Sequence, residues 1–377
     1  MSLYANLIEG IFLKRLNRFV CKVLINGKET LAYLPNPGRL WNLLLKGRKI
    51  LLIPNNKKTK LPYILFACEY ENFYVLLHTH YTNKIIKNLI KEKRIAGFEN
   101  YKVLKEEVKI FNSRFDFILE NIFTKEKKIL EIKTCTYFGK EIAMFPDAVT
   151  KRGTKHLKEL AKLNNEKIKG CVLFVIMNPN VKYFLPAYHI DMEFTKTFIE
   201  TKNNIEFKAI SLRWDPKFSE IQQIKEVKIP FSFLEKEFAN KGAYLLILNL
   251  EKFEKIKIGA LGIKNFKPGY YVYVGSAMKN LTHRIKRHRR KNKNLKWHID
   301  YFLKKAKIIT DISIIASEKL ECQIAKDLYK ICDGFIYRFG STDCKCKTHL
   351  FYFAENPLES DKFQDLILFY RINRLKI

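Results

Sequence analysis

The stretch "SRFDFILENIFTKEKKILEIKT", residues 113–134, decides how the chain reads. Phe115 and Phe117 alternate with polar neighbours before a charged turn at Thr124–Lys128. Leu130 and Ile132 alternate after it. That is the pattern of an antiparallel hairpin buried on one face. If Phe117 faces Leu130 and Phe115 faces Ile132, one face is apolar. The other face then carries Asp116 opposite Glu131, with Lys133 two residues further on. Two facing carboxylates repel, and a divalent cation turns that cost into a binding site. Mg²⁺ is commonly held by one or two carboxylates plus water and phosphate oxygens. Lys133 would then orient a water or stabilise charge on a phosphorane. The alternative is two surface acids neutralised by Arg114 and Lys133.

Outward from the hairpin the chain changes character twice. On its N-terminal side short apolar runs alternate with turn signals. Asn26-Gly27 predicts a tight hairpin turn between Phe19–Ile25 and Thr30–Leu34, and Leu34-Pro-Asn-Pro-Gly38 a second turn. Strands at Lys49–Ile53 and Phe73–Leu77 complete the pattern of a small barrel over 1–81. Residues 82–213 mix helix and strand: a helix over Thr82–Lys93, strands at Val108–Phe111, Arg114–Leu119 and Lys128–Cys135, and a helix after Gly153. Cys171–Met177 is wholly apolar, as a strand buried on both faces would be. Residues 214–239 read as a linker, 240–356 as a further α/β unit, and 357–377 as a helical tail.

The whole chain has 377 residues, with 70 Lys+Arg against 38 Asp+Glu, a net charge of +32. Such an excess calls for a polyanionic partner, and nucleic acid fits better than a membrane surface, since no long basic amphipathic helix is apparent. Hydrophobic usage of 47% excludes a disordered chain. No apolar run reaches the roughly 18–20 residues of a membrane span, and the N-terminus lacks a signal-peptide pattern. Eight scattered cysteines make no disulfide framework, so reduced thiols and a cytoplasmic protein are expected.

The third unit holds its own constellation. Gly242-Ala-Tyr244 starts one strand and Tyr273-Val-Gly275 ends the next, 29 residues on. Arg284 and His288 follow, sharing a helix face. From Arg284 to Lys296 there are eight Lys or Arg and no acid, a run that favours phosphate contact. Arg287, Arg289 and Arg290 lie in it. Lys151, Arg152, Lys155 and His156 form a second basic cluster close behind the hairpin, and Arg39 a third site in the first unit. Cys344-x-Cys346-x-x-His349 has zinc-ligating residue types. A structural site needs four ligands; Cys322 or His298 are both candidates for the fourth, and small buried thiols with a polar histidine are the plainer reading.

Two family resemblances gather these motifs. "KRLNRFVCKV", "LPNPGRL", "SRFDF", "LEIKT", "FPDAVTKRGTKHLKEL" and "PAYHID" occur in the order of the sugar fermentation stimulation protein (SfsA) family, over about residues 1–213. Leu34 and Pro37 stand where that family usually has Cys and Thr. The resemblance implies an OB-like β-barrel followed by a PD-(D/E)XK nuclease-like domain, with Asp116, Glu131 and Lys133 in the places of the nuclease signature. "GAYLLIL", "GYYVYVGSA", "RIKRH", "WHIDY", "ECQIA" and "STDCKCKTHLFYF" resemble a Uri-type branch of the GIY-YIG endonuclease superfamily, over about 240–353. The spacing of its two tyrosine motifs is wider than usual and implies an inserted hairpin around Ile258–Pro268. This second resemblance implies metal-assisted phosphodiester hydrolysis. Glu321 would hold an ion, Tyr244 and Tyr273 activate water, Arg284 stabilise the transition state, and His288 act as acid or base.

Together these readings describe a multidomain α+β / α/β protein: OB-like barrel, PD-(D/E)XK-like domain, GIY-YIG-like domain. The expected function is a Mg²⁺- or Mn²⁺-dependent nuclease acting on DNA, with metal at Asp116, Glu131 and Glu321. RNA is a weaker substrate choice. The alternative is a non-catalytic DNA-binding regulator of sugar-metabolism genes.

Overall fold

The computed structural model describes residues 6–56, 59–163 and 168–377. Residues 1–5, where the signal-peptide reading begins, lie outside them. The chain divides into two compact units, Met1–Phe231 and Ser232–Ile377.

The first unit opens with β1 (Ile8–Asn17), β2 (Val20–Ile25), β3 (Lys28–Tyr33), β4 (Lys49–Pro54), β5 (Tyr63–Tyr70) and β6 (Phe73–Leu76). Their order is β3-β2-β1-β4-β5-β6, and a parallel pairing of β3 with β5 closes five of them into an OB-like barrel. Asn26 and Gly27 have φ of 48° and 76°, the paired left-handed turn that suits the twist of a hairpin. Alternation along β2 sends Cys21, Val23 and Ile25 inward. β5 shows no alternation because Leu65, Phe66, Ala67 and Cys68 are all buried. The Phe66 ring meets Phe218 of the following domain edge-on at 5.0 Å.

Next come α1 (Tyr81–Lys91), β7 (Tyr101–Ile110), β8 (Ser113–Asn121), β9 (Lys127–Cys135), β10 (Tyr137–Phe138), β11 (Ile142–Phe145), α2 (Lys151–Leu160), β12 (Ile168–Ile176), β13 (Tyr183–Pro186), α3 (Met192–Glu200), β14 (Ile205–Trp214) and β15 (Ile221–Glu226). A six-stranded mixed sheet runs β15-β14-β12-β9-β8-β7, and a small one β10-β11-β13. β12 lies parallel to both β9 and β14 and is buried from Gly170 to Ile176, which explains its unbroken apolar sequence. α1 packs on β7 and β9, and α2 on β12. The Asp191 side chain caps α3 through Phe194 N and also accepts from Thr150 N. Thr150 in turn caps α2 through Gly153 N. The "FPDAVTKRG" and "PAYHID" motifs thus fix the starts of two helices together. The stretch expected to link domains contributes β15 as the sheet's edge strand, then α4 (Phe231–Glu237).

The second unit contains β16 (Gly242–Leu250), β17 (Glu254–Lys257), β18 (Ile263–Phe266), β19 (Gly269–Ala277), α5 (Leu281–Arg289), α6 (His298–Phe302), β20 (Lys307–Ile315), α7 (Glu321–Tyr329), β21 (Gly334–Phe335), β22 (Leu350–Phe353) and α8 (Asp361–Leu368). An antiparallel sheet runs β20-β16-β19-β22-β21. The expected inserted hairpin is β17–β18, beginning before Ile258. α5 and α7 pack on β19. The tail is bonded into this unit: Tyr370 Oη donates to Asp327 at 2.6 Å, and Arg371 Nε to Ser313 O at 2.8 Å. Among the described residues no helix is long and apolar enough to cross a membrane.

Candidate functional site

The β8–β9 ladder has the register anticipated from the apolar pattern, with Phe117 opposite Leu130. Regular pairing stops there. The Asp116 carboxylate takes the next place instead, its Oδ2 accepting from Ile132 N at 2.6 Å and its Oδ1 from Asn83 Nδ2 of α1 at 2.7 Å. Burial raises the Asp116 pKa, and the Glu131 charge raises it further. Glu131 is only 4% exposed. Its Oε1 accepts from Lys133 Nζ at 2.5 Å and from His156 Nδ1 at 2.7 Å. Its Oε2 is enclosed and has no hydrogen-bond partner. Burial pushes Glu131 up, but Lys133 and His156 outweigh it and hold the pKa below its ordinary value. Asp116, Glu131 and Lys133 therefore come together at one end of the β8–β9 ladder.

His156 corrects the sequence reading. Expected to touch phosphate, it is 2% exposed and both ring nitrogens are engaged. Arg152 Nε donates to its Nε2 at 3.3 Å, so Nδ1 carries the hydrogen given to Glu131. It positions the carboxylate. The i, i+4 relation to Arg152 made it look like part of a basic helix face; only the packing of α2 over the sheet reveals its direction. Lys151 and Arg152 are exposed, while Lys155 Nζ donates to Asn112 O. Asn83 carried no sequence signal.

Arg39 lies on the barrel, its guanidinium 4.6 Å from the Trp41 ring centroid. Arg15 donates to the carbonyls of Gly38 at 2.6 Å and Arg39 at 2.7 Å. Against this turn sits Asp147 of the "FPDAV" motif. A Cβ on Gly38 would fall 1.9 Å from Asp147 Oδ2, so glycine is the only residue that leaves room. Burial pushes the Asp147 carboxyl up to about 6, against the pull of Arg15 and Arg39.

In the second unit Tyr244 faces Gly275 across β16 and β19. A Cβ on Gly275 would lie 2.4 Å from Tyr244 Oη, so this glycine makes room for the ring. Tyr244 Oη and His288 Nε2 are 2.7 Å apart, and the Tyr244 and Tyr273 rings 6.4 Å. Burial holds both tyrosines above the ordinary phenol pKa. Glu321, at the start of α7, accepts from Ser276 Oγ and meets His349 Nδ1 at 3.0 Å. Burial raises its pKa, but His349 and Ser276 outweigh that and bring it below normal. Arg284 stacks 4.4 Å over Trp297, and its charge acts on Tyr244, Tyr273 and Glu321 alike. All five expected catalytic residues thus converge.

Two of the three basic residues assigned to phosphate here are committed elsewhere. Arg287 makes a two-pronged pair with Asp300, at 3.1 and 3.0 Å, and stacks on Trp297 at 4.1 Å. Asp300 also accepts from Lys296 N and Trp297 N. Arg287 is thus a structural ion pair, and Arg289 pairs with Asp311. Lys286, Arg290 and Lys291 are exposed. If they meet phosphate, Arg290→Ala and Lys291→Ala each reduce the slope of log K against log salt by about 1. Titrating DNA binding across salt concentrations checks this, and an unchanged slope in both variants places the phosphate contacts on other residues.

His288 is buried, with Nδ1 4.0 Å from Asp300 Oδ1 and without a hydrogen bond. Burial lowers its pKa from 6.5 to about 4; Asp300 opposes the shift, and Lys293, Arg287 and Arg284 add to it. Between those values the unfolded chain takes up a proton that the folded chain refuses. Stability is therefore lost as pH falls from 6.5 toward 4, by up to about 3 kcal/mol from this group. Thermal unfolding of the chain and of His288→Gln across that range checks the sign: the variant should show the shallower slope.

Comparison with known proteins covers most of the chain. The SfsA N-terminal OB domain matches residues 13–77, the sugar fermentation stimulation protein RE domain residues 80–218, and a domain of unknown function, DUF123, residues 243–369. A sugar fermentation stimulation protein homolog of Thermosipho melanesiensis is 36% identical over 229 residues, which is 60% of this chain and 96% of that protein. One from Methanosphaera stadtmanae is 38% identical over 201 residues, 52% of this chain and 82% of that one. The solved structure of Pyrococcus furiosus SfsA in complex with Ca²⁺ superposes with a TM-score of 0.56 at 27% identity, covering 61% of this chain and 99% of that one.

Proposed function

The chain belongs to the sugar fermentation stimulation protein family, with a GIY-YIG-like domain following the family region, and on that premise we propose that it is a DNA-binding phosphodiesterase working with Mg²⁺ or Mn²⁺. The observation that carries the reading is Glu131 Oε2, an enclosed carboxylate oxygen without a partner beside Asp116. Leaving a buried charged acceptor unmet costs about 1–3 kcal/mol or more, and a cation held by Asp116 and Glu131 would meet it. The Pyrococcus furiosus relative was solved with Ca²⁺, another hard cation that takes oxygen ligands. When bound, such a cation polarises a phosphate oxygen and acidifies a water. Lys133, bonded to Glu131, brings positive charge to the developing phosphorane, and His156 keeps Glu131 directed.

In the second unit Glu321 would hold the cation. Tyr244, kept protonated by burial, passes its proton to the neutral His288 while taking one from the attacking water, with Tyr273 alongside. Arg284 stabilises charge on the phosphate. The net charge of +32 supports a polyanionic substrate. The test is cleavage of single-stranded, duplex and branched DNA, and of RNA, with EDTA, Mg²⁺ or Mn²⁺. Metal-dependent cutting of DNA is the expected result. Tight, salt-sensitive binding without any cutting overturns the enzyme reading in favour of a regulator.

A further inference from the structure

We propose that the second unit binds a structural zinc ion through Cys322, Cys344, Cys346 and His349. Three of these ligands lie within six residues of one another, but the fourth is 22 residues upstream of Cys344, so only the fold can bring it in. It does: the three sulfurs and one imidazole nitrogen all lie within 4.8 Å of one another. Tetrahedral zinc with bonds of about 2.3 Å to sulfur and 2.0 Å to nitrogen sets its ligand atoms about 3.5–3.8 Å apart. Cys344 Sγ and His349 Nε2 are 3.4 Å apart. His298, the other candidate for the fourth place, instead accepts a hydrogen bond from Gly340 N at 3.0 Å. The thiols are not packed away as small core residues: Cys322 is exposed, and Cys344 and Cys346 are half-exposed.

The surroundings are those of a metal site. Cys322 sits in the first turn of α7, where backbone N–H groups favour a thiolate. Lys326, Lys345 and Lys347 line one cavity with Cys322 and Cys346, offsetting the charge that three thiolates place on the site. His349 is 2% exposed and held at both backbone ends, its N donating to Phe339 O and its O accepting from Val274 N. Nε2 faces the thiols while Nδ1 meets the Glu321 carboxylate at 3.0 Å. A carboxylate on the far nitrogen of a ligating histidine fixes the ring and its tautomer. The ion would thus brace Glu321. Zinc binding itself does not depend on whether the chain cuts DNA.

The full chain, purified under reducing conditions without a metal-chelating tag, should carry about one zinc per molecule by elemental analysis. Cys344→Ser/Cys346→Ser should lower that at least tenfold, while Cys332→Ser, outside the cluster, should keep it. Should the double variant fail to fold, the wild type decides alone. Stripped of metal and given Co²⁺, it should show the visible bands of tetrahedral thiolate-bound cobalt, and zinc should displace them. A chain that holds no zinc as isolated and gives no such spectrum overturns the proposal, as does a folded double variant with wild-type zinc content.

Discussion

In a chain whose second site is silenced by Glu321→Ala, adding Asp116→Ala and Glu131→Ala lowers the remaining metal-dependent cleavage by about a thousandfold or more. DNA affinity stays within about threefold, because exposed lysines and arginines supply it. The expected loss is large because both carboxylates would serve one ion on the proposed reading. Asp116 terminates the β8–β9 ladder by accepting from Ile132 N, and Glu131 is wedged between Lys133 and His156. Alanine at either position leaves buried donors unmet, which is destabilising by about 1–3 kcal/mol each. The isosteric pair Asp116→Asn and Glu131→Gln keeps an acceptor oxygen at each place and separates chemistry from folding. Undiminished cutting by either double variant, measured on product strands over time, would sink the assignment of this hairpin.

The mirror experiment silences the hairpin and probes the second unit. Tyr244→Phe removes one oxygen and should cost about a hundred- to ten-thousandfold in rate. Glu321→Ala should cost as much or more, since it removes the acid that would hold the cation. Tyr244→Phe leaves buried His288 Nε2 without its partner at 2.7 Å, which costs about 1–3 kcal/mol, but the ring still fills the space above Gly275, so no cavity is added. Full activity of both variants under single-turnover conditions eliminates the tyrosine–histidine relay.

Much of this geometry was legible in the sequence, and the limits have physical causes. Alternation fixes register wherever one strand face is buried, as in β8 and β9. The Asn26-Gly27 turn was legible because few residue pairs adopt two left-handed conformations. β5 was not, because its central residues are covered on both sides and the alternation vanishes. The strand order β15-β14-β12-β9-β8-β7 depends on contacts far apart in the chain, which local patterns do not encode. The candidate site residues were picked out by residue type and spacing; the residues that hold them in place were not. His156 and Arg287 both read as phosphate ligands because a basic residue on a helix looks alike whether it faces solvent or a buried acid. Their partners, Glu131 and Asp300, lie 25 and 13 residues away.

The contact between Gly38 and Asp147 bears on how this protein can be taken apart. The boundary between the two N-terminal family regions falls between residues 77 and 80, a natural place to divide an expression clone. Yet the barrel has a cleft shaped by a missing side chain, and the acid that fills it is encoded in the other piece. A clone ending at that boundary carries Arg15 and Arg39 without their counter-charge, and its complement carries an acid stripped of both. The two regions recognised separately by sequence share this packed contact, and biochemical dissection of the hairpin site has to begin from a fragment that keeps them together.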